Sequence, residues 1–163
     1  MNMIKYIPIL IMLLSGCGSM KIKTEKDVVS KYQKLEKFKS TGNDTLAYVK
    51  NSIIDRKAKY IGKELNILLK DLELPINNYL IGLSNKRGIS PDITIQFYDR
   101  SEIDSKRAKK INPVILTIIW ETPVDLNIAD SMMLKHKGVW TKEEQEYFGK
   151  QKVKDIVLVS YNF

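Results

Sequence analysis

The stretch Val114-Ile115-Leu116-Thr117-Ile118-Ile119-Trp120 decides the fold, because six of its seven residues are apolar. A short strand that is apolar on both faces is typical of the interior of a sheet, where neighbours cover it on every side. We therefore predict a central β-strand over 114–120. Alternating or continuous apolar residues predict three further strands: at Tyr79, Ile81 and Leu83; at Ile93, Ile95 and Phe97; and from Ile156 to Val159, continuing to Tyr161.

Helical spacing of apolar residues predicts two helices before the first strand. Their apolar faces are Leu46, Val49, Ile53 and Ile54, after a cap at Asn43, Asp44 or Thr45, and then Ile61, Leu65, Leu68, Leu69 and Leu72, ending at Pro75. A short helix is expected over 126–134. Thr141 and Glu144 have the spacing of a capping box, which predicts a helix from there to about Gly149. The link from Asp99 to Pro113 is polar and basic.

The order of these elements predicts an α+β fold. Consecutive strands joined by modest links usually pair antiparallel, and helices then cover one face of the resulting sheet. We predict a two-layer sandwich over residues 41–163, in which helices pack on one face of a mainly antiparallel sheet of about four strands.

The composition excludes several classes of site. The chain has 163 residues, 44% hydrophobic and 28% charged, which suits one folded domain. It contains one Cys and one His, so a disulfide framework, a cysteine-based metal site and a multi-histidine metal centre are all excluded. The formal net charge of +8 suggests an anionic partner without identifying it.

The N-terminal sequence MNMIKYIPILIMLLSGCGSM has the features of an export signal. Lys5 precedes a short apolar run from Ile7 to Leu14, well below the roughly 20 residues that span a bilayer. The run ends in Leu14-Ser15-Gly16-Cys17, which resembles the lipobox of bacterial lipoproteins. The resemblance implies that the Cys17 sulfur receives a diacylglyceryl group and that signal peptidase II cuts before Cys17.

The lipoprotein resemblance implies a location in the cell envelope. Two or three acyl chains hold a protein on a membrane almost permanently, whereas one chain holds it only marginally. We expect a cleaved signal peptide over 1–16, a basic tether over 17–40 and a single globular α+β domain over 41–163. Gly18 resembles the residue found after the Cys in lipoproteins sorted to the outer membrane, so we favour that membrane over the inner one.

Basic residues are concentrated in two segments. Seven Lys and three acidic residues lie between Lys21 and Lys39. We interpret this tether as a spacer, with binding to anionic headgroups as the alternative. The second segment, 106–110, is interpreted as solvated, or else as facing lipid, glycan phosphate or an acidic protein. Nucleic acid is not an expected partner of an exported chain.

Few residues are candidates for chemistry. His136, between Lys135 and Lys137, is interpreted as a solvated loop residue and not as a catalytic base. Glu121 and Asp125 are a candidate carboxylate pair for glycoside hydrolysis, and Trp120 and Trp140 are candidate sugar-stacking rings. Core packing of Trp120 and a solvated end of the strand at Glu121 are favoured over this site. A hard-cation site would use Asp99, Glu102 and Asp104, which lack EF-hand spacing.

These observations favour a non-enzymatic binding or accessory domain. We predict no catalytic residue, no cofactor and no metal; lipidation at Cys17; and as partners the membrane lipid and an envelope protein. The first alternative is an immunity or inhibitor lipoprotein that blocks an envelope-acting toxin. The second is an envelope glycan hydrolase with a cleft that contains Glu121 or His136.

Overall fold

A computed structural model describes residues 44–163, together with Gln33, Lys37 and Phe38. The signal peptide, the lipobox at 14–17 and most of the tether over 17–40 therefore lie outside the described residues. Before the sheet the chain forms α1 (Thr45–Tyr48), a π-helical continuation (Val49–Ile54), a 3₁₀ turn (Lys57–Lys59) and α2 (Leu65–Asp71). Then follow β1 (Asn78–Ile81), β2 (Ile89–Gln96), α3 (Arg100–Ala108), β3 (Ile115–Asp125), α4 (Leu126–His136), α5 (Lys142–Phe148) and β4 (Val153–Leu158).

The four strands form one antiparallel sheet in the order β1-β2-β3-β4. This confirms the predicted α+β fold and the central position of the strand predicted over 114–120, which is observed as β3, since β3 pairs with β2 on one side and with β4 on the other. Pro91 lies in β2 where the register to β3 shifts, between Ser90 and Asp92. Proline lacks a donor for the ladder, so a register irregularity is where an interior strand tolerates it.

The helices and one face of the sheet share a single apolar core. The buried side chains of that face belong to residues paired across the strands: Tyr79, Ile93, Ile95, Leu116, Ile118 and Ile156. Helical residues such as Val49, Leu68 and Phe148 belong to the same cluster. On the other face the Thr94 and Thr117 hydroxyls are 3.0 Å apart. Leu80 pairs with Thr94 and Val157 pairs with Thr117, so both lie on this face, where they are 50% and 41% exposed.

The connection from Asp99 to Pro113 contains a helix, α3, which the sequence does not predict. The Asp99 carboxylate accepts a hydrogen bond from the Glu102 amide at 2.8 Å and so caps α3. Ile103 is the single buried residue among the nine of α3. One residue cannot give a helical periodicity, so the pattern of apolar residues does not reveal this helix.

Other differences concern the ends of elements. Leu83, predicted in the first strand, lies beyond β1 with 81% of its surface exposed. Ile61 lies outside α2, before Gly62, whose positive φ of 73° breaks the helical run. Phe38, on the tether side of the predicted boundary, packs its ring edge-on against Tyr48 at 5.2 Å. Within the described residues, no helix combines the length and the apolar character that a membrane span requires.

Candidate functional site

The turn after α4 brings distant parts of the chain together. Asp125 caps α4 by accepting hydrogen bonds from the amides of Asn127 and Ile128. The helix ends where Lys137 and Gly138 both adopt left-handed φ angles, 55° and 73°. The carbonyl of Gly138 then accepts a hydrogen bond from the Tyr79 amide at 2.8 Å. The end of α4 is thereby fixed against β1, beside the start of α5.

The predicted capping box at the start of α5 is confirmed. The Thr141 hydroxyl accepts a hydrogen bond from the Glu143 amide at 3.2 Å, and Glu144 Oε2 accepts one from the Thr141 amide at 2.9 Å. Glu144 is completely buried, with 0% of its surface exposed. A buried carboxylate needs several donors to offset the loss of its hydration.

The donors to Glu144 come from three elements. Oε2 also accepts a hydrogen bond from the Thr141 hydroxyl. Oε1 accepts one from the Tyr79 hydroxyl of β1 at 3.1 Å and lies 2.6 Å from Nδ1 of His136, the last residue of α4. We call Glu144, Thr141, Tyr79 and His136 the Glu144 cluster. It joins β1, α4 and α5 through one buried carboxylate.

The pKa values of the Glu144 cluster reflect this arrangement. Burial acts to raise the pKa of Glu144, but the hydrogen bonds from Thr141 and His136 outweigh burial and lower it below the ordinary value. Burial and the adjacent Glu144 carboxylate both raise the pKa of the Tyr79 hydroxyl. Glu144 therefore stays charged and Tyr79 stays a donor at neutral pH.

His136, the last residue of α4, is mostly buried, although its sequence neighbours are cations typical of a solvated loop. Only 19% of its side chain is exposed, which corrects the interpretation of a solvated loop residue. Its Nε2 lies 3.5 Å from Glu143 Oε2, and the same oxygen accepts a hydrogen bond from Lys135 Nζ at 2.6 Å. In a Ser–His–Asp site the second ring nitrogen faces a hydroxyl. In this protein His136 Nε2 faces the Glu143 carboxylate and Nδ1 faces Glu144, so both ring nitrogens connect the end of α4 to α5.

A groove of about 630 Å³ opens next to the Glu144 cluster, between α4 and α5. We call it the α4–α5 groove. Its apolar part is formed by Ile128, Met132 and Tyr147, and its polar part by Asn127, Ser131, Glu143, Glu146 and Lys150. Ile128 is 48% exposed, so an apolar surface is open to a ligand. Glu143 belongs both to the groove and to the contact with His136, which places the groove directly beside the cluster.

All the carboxylates predicted as site candidates except Glu121 have structural partners. Asp125 caps α4, and Glu121 is exposed on β3. Glu102 lies 3.9 Å from Lys106, and Asp104 lies 4.0 Å from Arg100, both along α3. Among the described residues, no group of three or more His, Cys, Asp and Glu side chains is placed to hold a metal ion.

The predicted sugar-stacking rings are part of the core. Trp120 and Trp140 are both buried and both stack on Phe148, at 6.1 and 6.0 Å between ring centroids. Their faces are therefore taken by another ring, and core packing explains both residues. Cys17, the predicted lipidation site, lies outside the described residues.

The sequence identifies two of the four residues of the Glu144 cluster and gives only a weak indication of the groove. The capping-box spacing indicated Thr141 and Glu144, but nothing in the sequence pairs Tyr79 with a carboxylate 65 residues away. The groove has a faint signal, since Asn127, Ile128 and Ser131 lie on one side of α4 by helical spacing. Comparison with known protein families, with curated proteins and with solved structures finds no match to this chain.

Proposed function

We propose that this chain is a lipid-anchored protein of the bacterial envelope whose domain binds a protein partner in the α4–α5 groove. The open apolar surface of Ile128 within a groove of about 630 Å³ carries the proposal. Binding sites are typically concave, largely apolar and edged by a few polar groups that fix the orientation of the ligand. The groove combines an apolar surface with charged and polar residues along its sides.

The anchor half of the proposal rests on the lipobox resemblance at 14–17. Small residues at Ser15 and Gly16 let a peptidase approach the backbone, and Cys17 is the only thiol in the chain. Each buried methylene of an acyl chain contributes about 0.8 kcal/mol, so two or three chains make attachment effectively permanent. The tether over 17–40 then separates the domain from the membrane surface.

Replacement of Cys17 by alanine tests the anchor. We expect wild-type protein to take up labelled palmitate in bacterial cells and to remain in the membrane fraction. Cys17→Ala is expected to lose the label completely and to leave the membrane fraction. Ser19→Ala, a substitution two residues away that keeps the thiol, is the matched control and is expected to keep the label. Palmitate uptake that is equal in Cys17→Ala and wild type would refute the anchor.

The charges of the groove indicate the chemistry of the partner. Glu143 and Glu146 face the groove with one cation, Lys150, although the chain as a whole has a net charge of +8. The lining residues thus carry one more negative than positive charge. Lys135 and Lys142, which lie outside the lining, pair with Glu143 and Glu146 but leave 47% and 64% of these side chains exposed to a partner. An apolar side chain that packs on Ile128 beside a Lys or Arg that meets the carboxylates would match both parts of the site. We propose a segment of an envelope protein with this pattern as the occupant.

Photo-crosslinking in living cells tests the groove. A photoreactive amino acid at Ser131, exposed within the groove, is expected to give one reproducible protein adduct. The same group at Val157, exposed on the outer sheet face, is the control and is expected to give none of that adduct. Sequencing of the crosslinked peptide is expected to show an apolar residue next to a basic one. Equal adduct formation from both positions would contradict a groove-specific partner.

The charged groove also supports the immunity or inhibitor alternative. An inhibitor of an envelope-acting toxin needs an exposed surface whose charge complements its target, and an acidic groove fits a basic toxin segment. The two candidates differ in the identity of the adduct and in the phenotype of the deletion. An inhibitor predicts that cells without the gene become sensitive to the toxin of a neighbouring cell.

A further inference from the structure

A basic segment and an aromatic segment meet at one end of the sheet. The Arg107 guanidinium lies over the Tyr161 ring, 4.4 Å from its centroid, and donates a hydrogen bond to the Tyr161 hydroxyl. The Tyr161 amide donates to Asn112 Oδ1 at 2.5 Å. The end of α3 and the residues after β4 are therefore one continuous surface, although 54 residues separate Arg107 from Tyr161.

This surface is cationic and partly apolar. Segments 105–113 and 159–163 contain four cations and no acidic residue. Arg107, Lys109 and Lys110 are exposed, whereas Lys106 lies 3.9 Å from Glu102. Two large apolar side chains project beside the cations: Ile111 is 50% exposed and Phe163 is 55% exposed. We call this surface the basic end, formed by Arg107, Lys109, Lys110, Ile111, Tyr161 and Phe163.

The sheet topology separates the basic end from the β1–β2 turn. Gln96 and Leu158 pair with Ile115 and Leu116, so the end of β2, the start of β3 and the end of β4 lie together. The turn over 82–88 joins the other ends of β1 and β2, at the opposite end of the sheet. Lys86, exposed in that turn, therefore serves as an internal control for the basic end.

We infer that the basic end lies against an anionic phospholipid surface. Its cations would meet the headgroup phosphates, and Ile111 and Phe163 would enter the boundary between headgroups and acyl chains. Interleaved cations and exposed apolar side chains are the composition that binds such surfaces, and aromatic rings with a polar end are favoured there. A protein partner would need acidic and apolar side chains placed to match this one surface, whereas an anionic bilayer offers phosphates and an apolar interior over its whole area.

The inference rests on the membrane attachment proposed above. The test replaces natural acylation by a chemical link between Cys17 and a lipid, so it does not depend on that proposal. The full chain is coupled through Cys17 to a maleimide lipid, either in vesicles of phosphatidylcholine or in vesicles of equal parts phosphatidylcholine and phosphatidylglycerol. A water-soluble acetylating reagent then modifies the lysines, and mass spectrometry measures the rate at each one. Failure of natural acylation at Cys17 would leave this result unchanged, so the two proposals fail separately.

Lys109 and Lys110 are expected to react about fivefold more slowly on the anionic vesicles, since each lysine near such a surface gains about 1 kcal/mol. Lys86 is expected to react equally on both. Ile111→Ser is expected to reduce the protection, and Leu83→Ser, a matched change of an exposed apolar residue in the β1–β2 turn, is expected to leave it intact. Equal rates at Lys109 and Lys110 on both vesicles would overturn the inference, as would equal slowing of Lys86. Protection that requires an added acidic protein would overturn it in favour of a protein partner.

Discussion

Phe148→Ala is expected to destabilise the domain by about 3–5 kcal/mol, the usual cost of removing a buried Phe ring from a core. The ring is 1% exposed and contacts four other aromatic rings, which belong to Tyr79, Trp120, Trp140 and Tyr147. These partners come from β1, β3, the turn before α5 and α5 itself, so the cavity would lie where the helices meet the sheet. Urea unfolding followed by far-UV circular dichroism measures the loss.

Phe163→Ala is the matched control, because it removes the same side chain from a position that is 55% exposed. We expect it to change the free energy of unfolding by less than about 0.5 kcal/mol. Domains of this size are stable by only about 5–15 kcal/mol, so the expected loss in Phe148→Ala takes a large share of the total. A value for Phe148→Ala within about 1 kcal/mol of wild type, below the usual cost, would show that the ring is not the centre of the core.

Glu144→Ala is expected to cost about 3–5 kcal/mol, comparable to breaking a buried ion pair. The substitution leaves the Tyr79 hydroxyl, the Thr141 amide and His136 Nδ1 without their acceptor. Desolvated donors without partners are costly, and the helices α4 and α5 lose their connection to β1. Glu146→Ala, two residues along the same helix, is the control. Its carboxylate pairs with Lys142 on the exposed surface, so we expect a change below about 0.5 kcal/mol. Equal losses for the two variants would contradict the role of the Glu144 cluster.

The same carboxylate gives the stability a pH dependence with a definite sign. Because the pKa of Glu144 is lowered from 4.5 in the folded protein, the unfolded chain takes up its proton first as the pH falls. The stabilisation is complete above the ordinary pKa and is lost as the pH falls through the folded value. The free energy of unfolding of Glu144→Gln should therefore decline less steeply with acid than that of wild type. Asp71 and Asp155, whose pKa values are also lowered, contribute equally to both proteins.

The sheet could be predicted from the sequence because its signal is local. Two patterns predict which residues are buried: the alternation at Ile93 and Ile95, and the apolar run over 114–120. Both belong to strands in the interior of the sheet. The capping box is also local, and it correctly marked the start of α5. In contrast, α3 depends on the single buried residue Ile103 and on a cap at Asp99. Neither feature produces a periodic pattern.

The site could not be predicted because its contacts cross long stretches of chain. The flanking cations Lys135 and Lys137 indicate a solvated His136. The groups that face its ring are instead the carboxylates of Glu143 and Glu144, which belong to the next helix. Only the left-handed turn after α4 places that helix beside the ring. The groove depends on how α4 and α5 pack, which the order of residues in either helix does not reveal.

The most direct test of the α4–α5 groove is the effect of Glu146→Lys on photo-crosslinking from Ser131. Charge reversal at a residue that lines the groove should repel a basic partner segment, so we expect the adduct to disappear while the protein level and its thermal unfolding are unchanged. Glu121→Lys, the same change at an exposed position on β3, should leave the adduct at its wild-type yield. An undiminished adduct in Glu146→Lys, or equal loss in both variants, would contradict the binding of a partner in this groove.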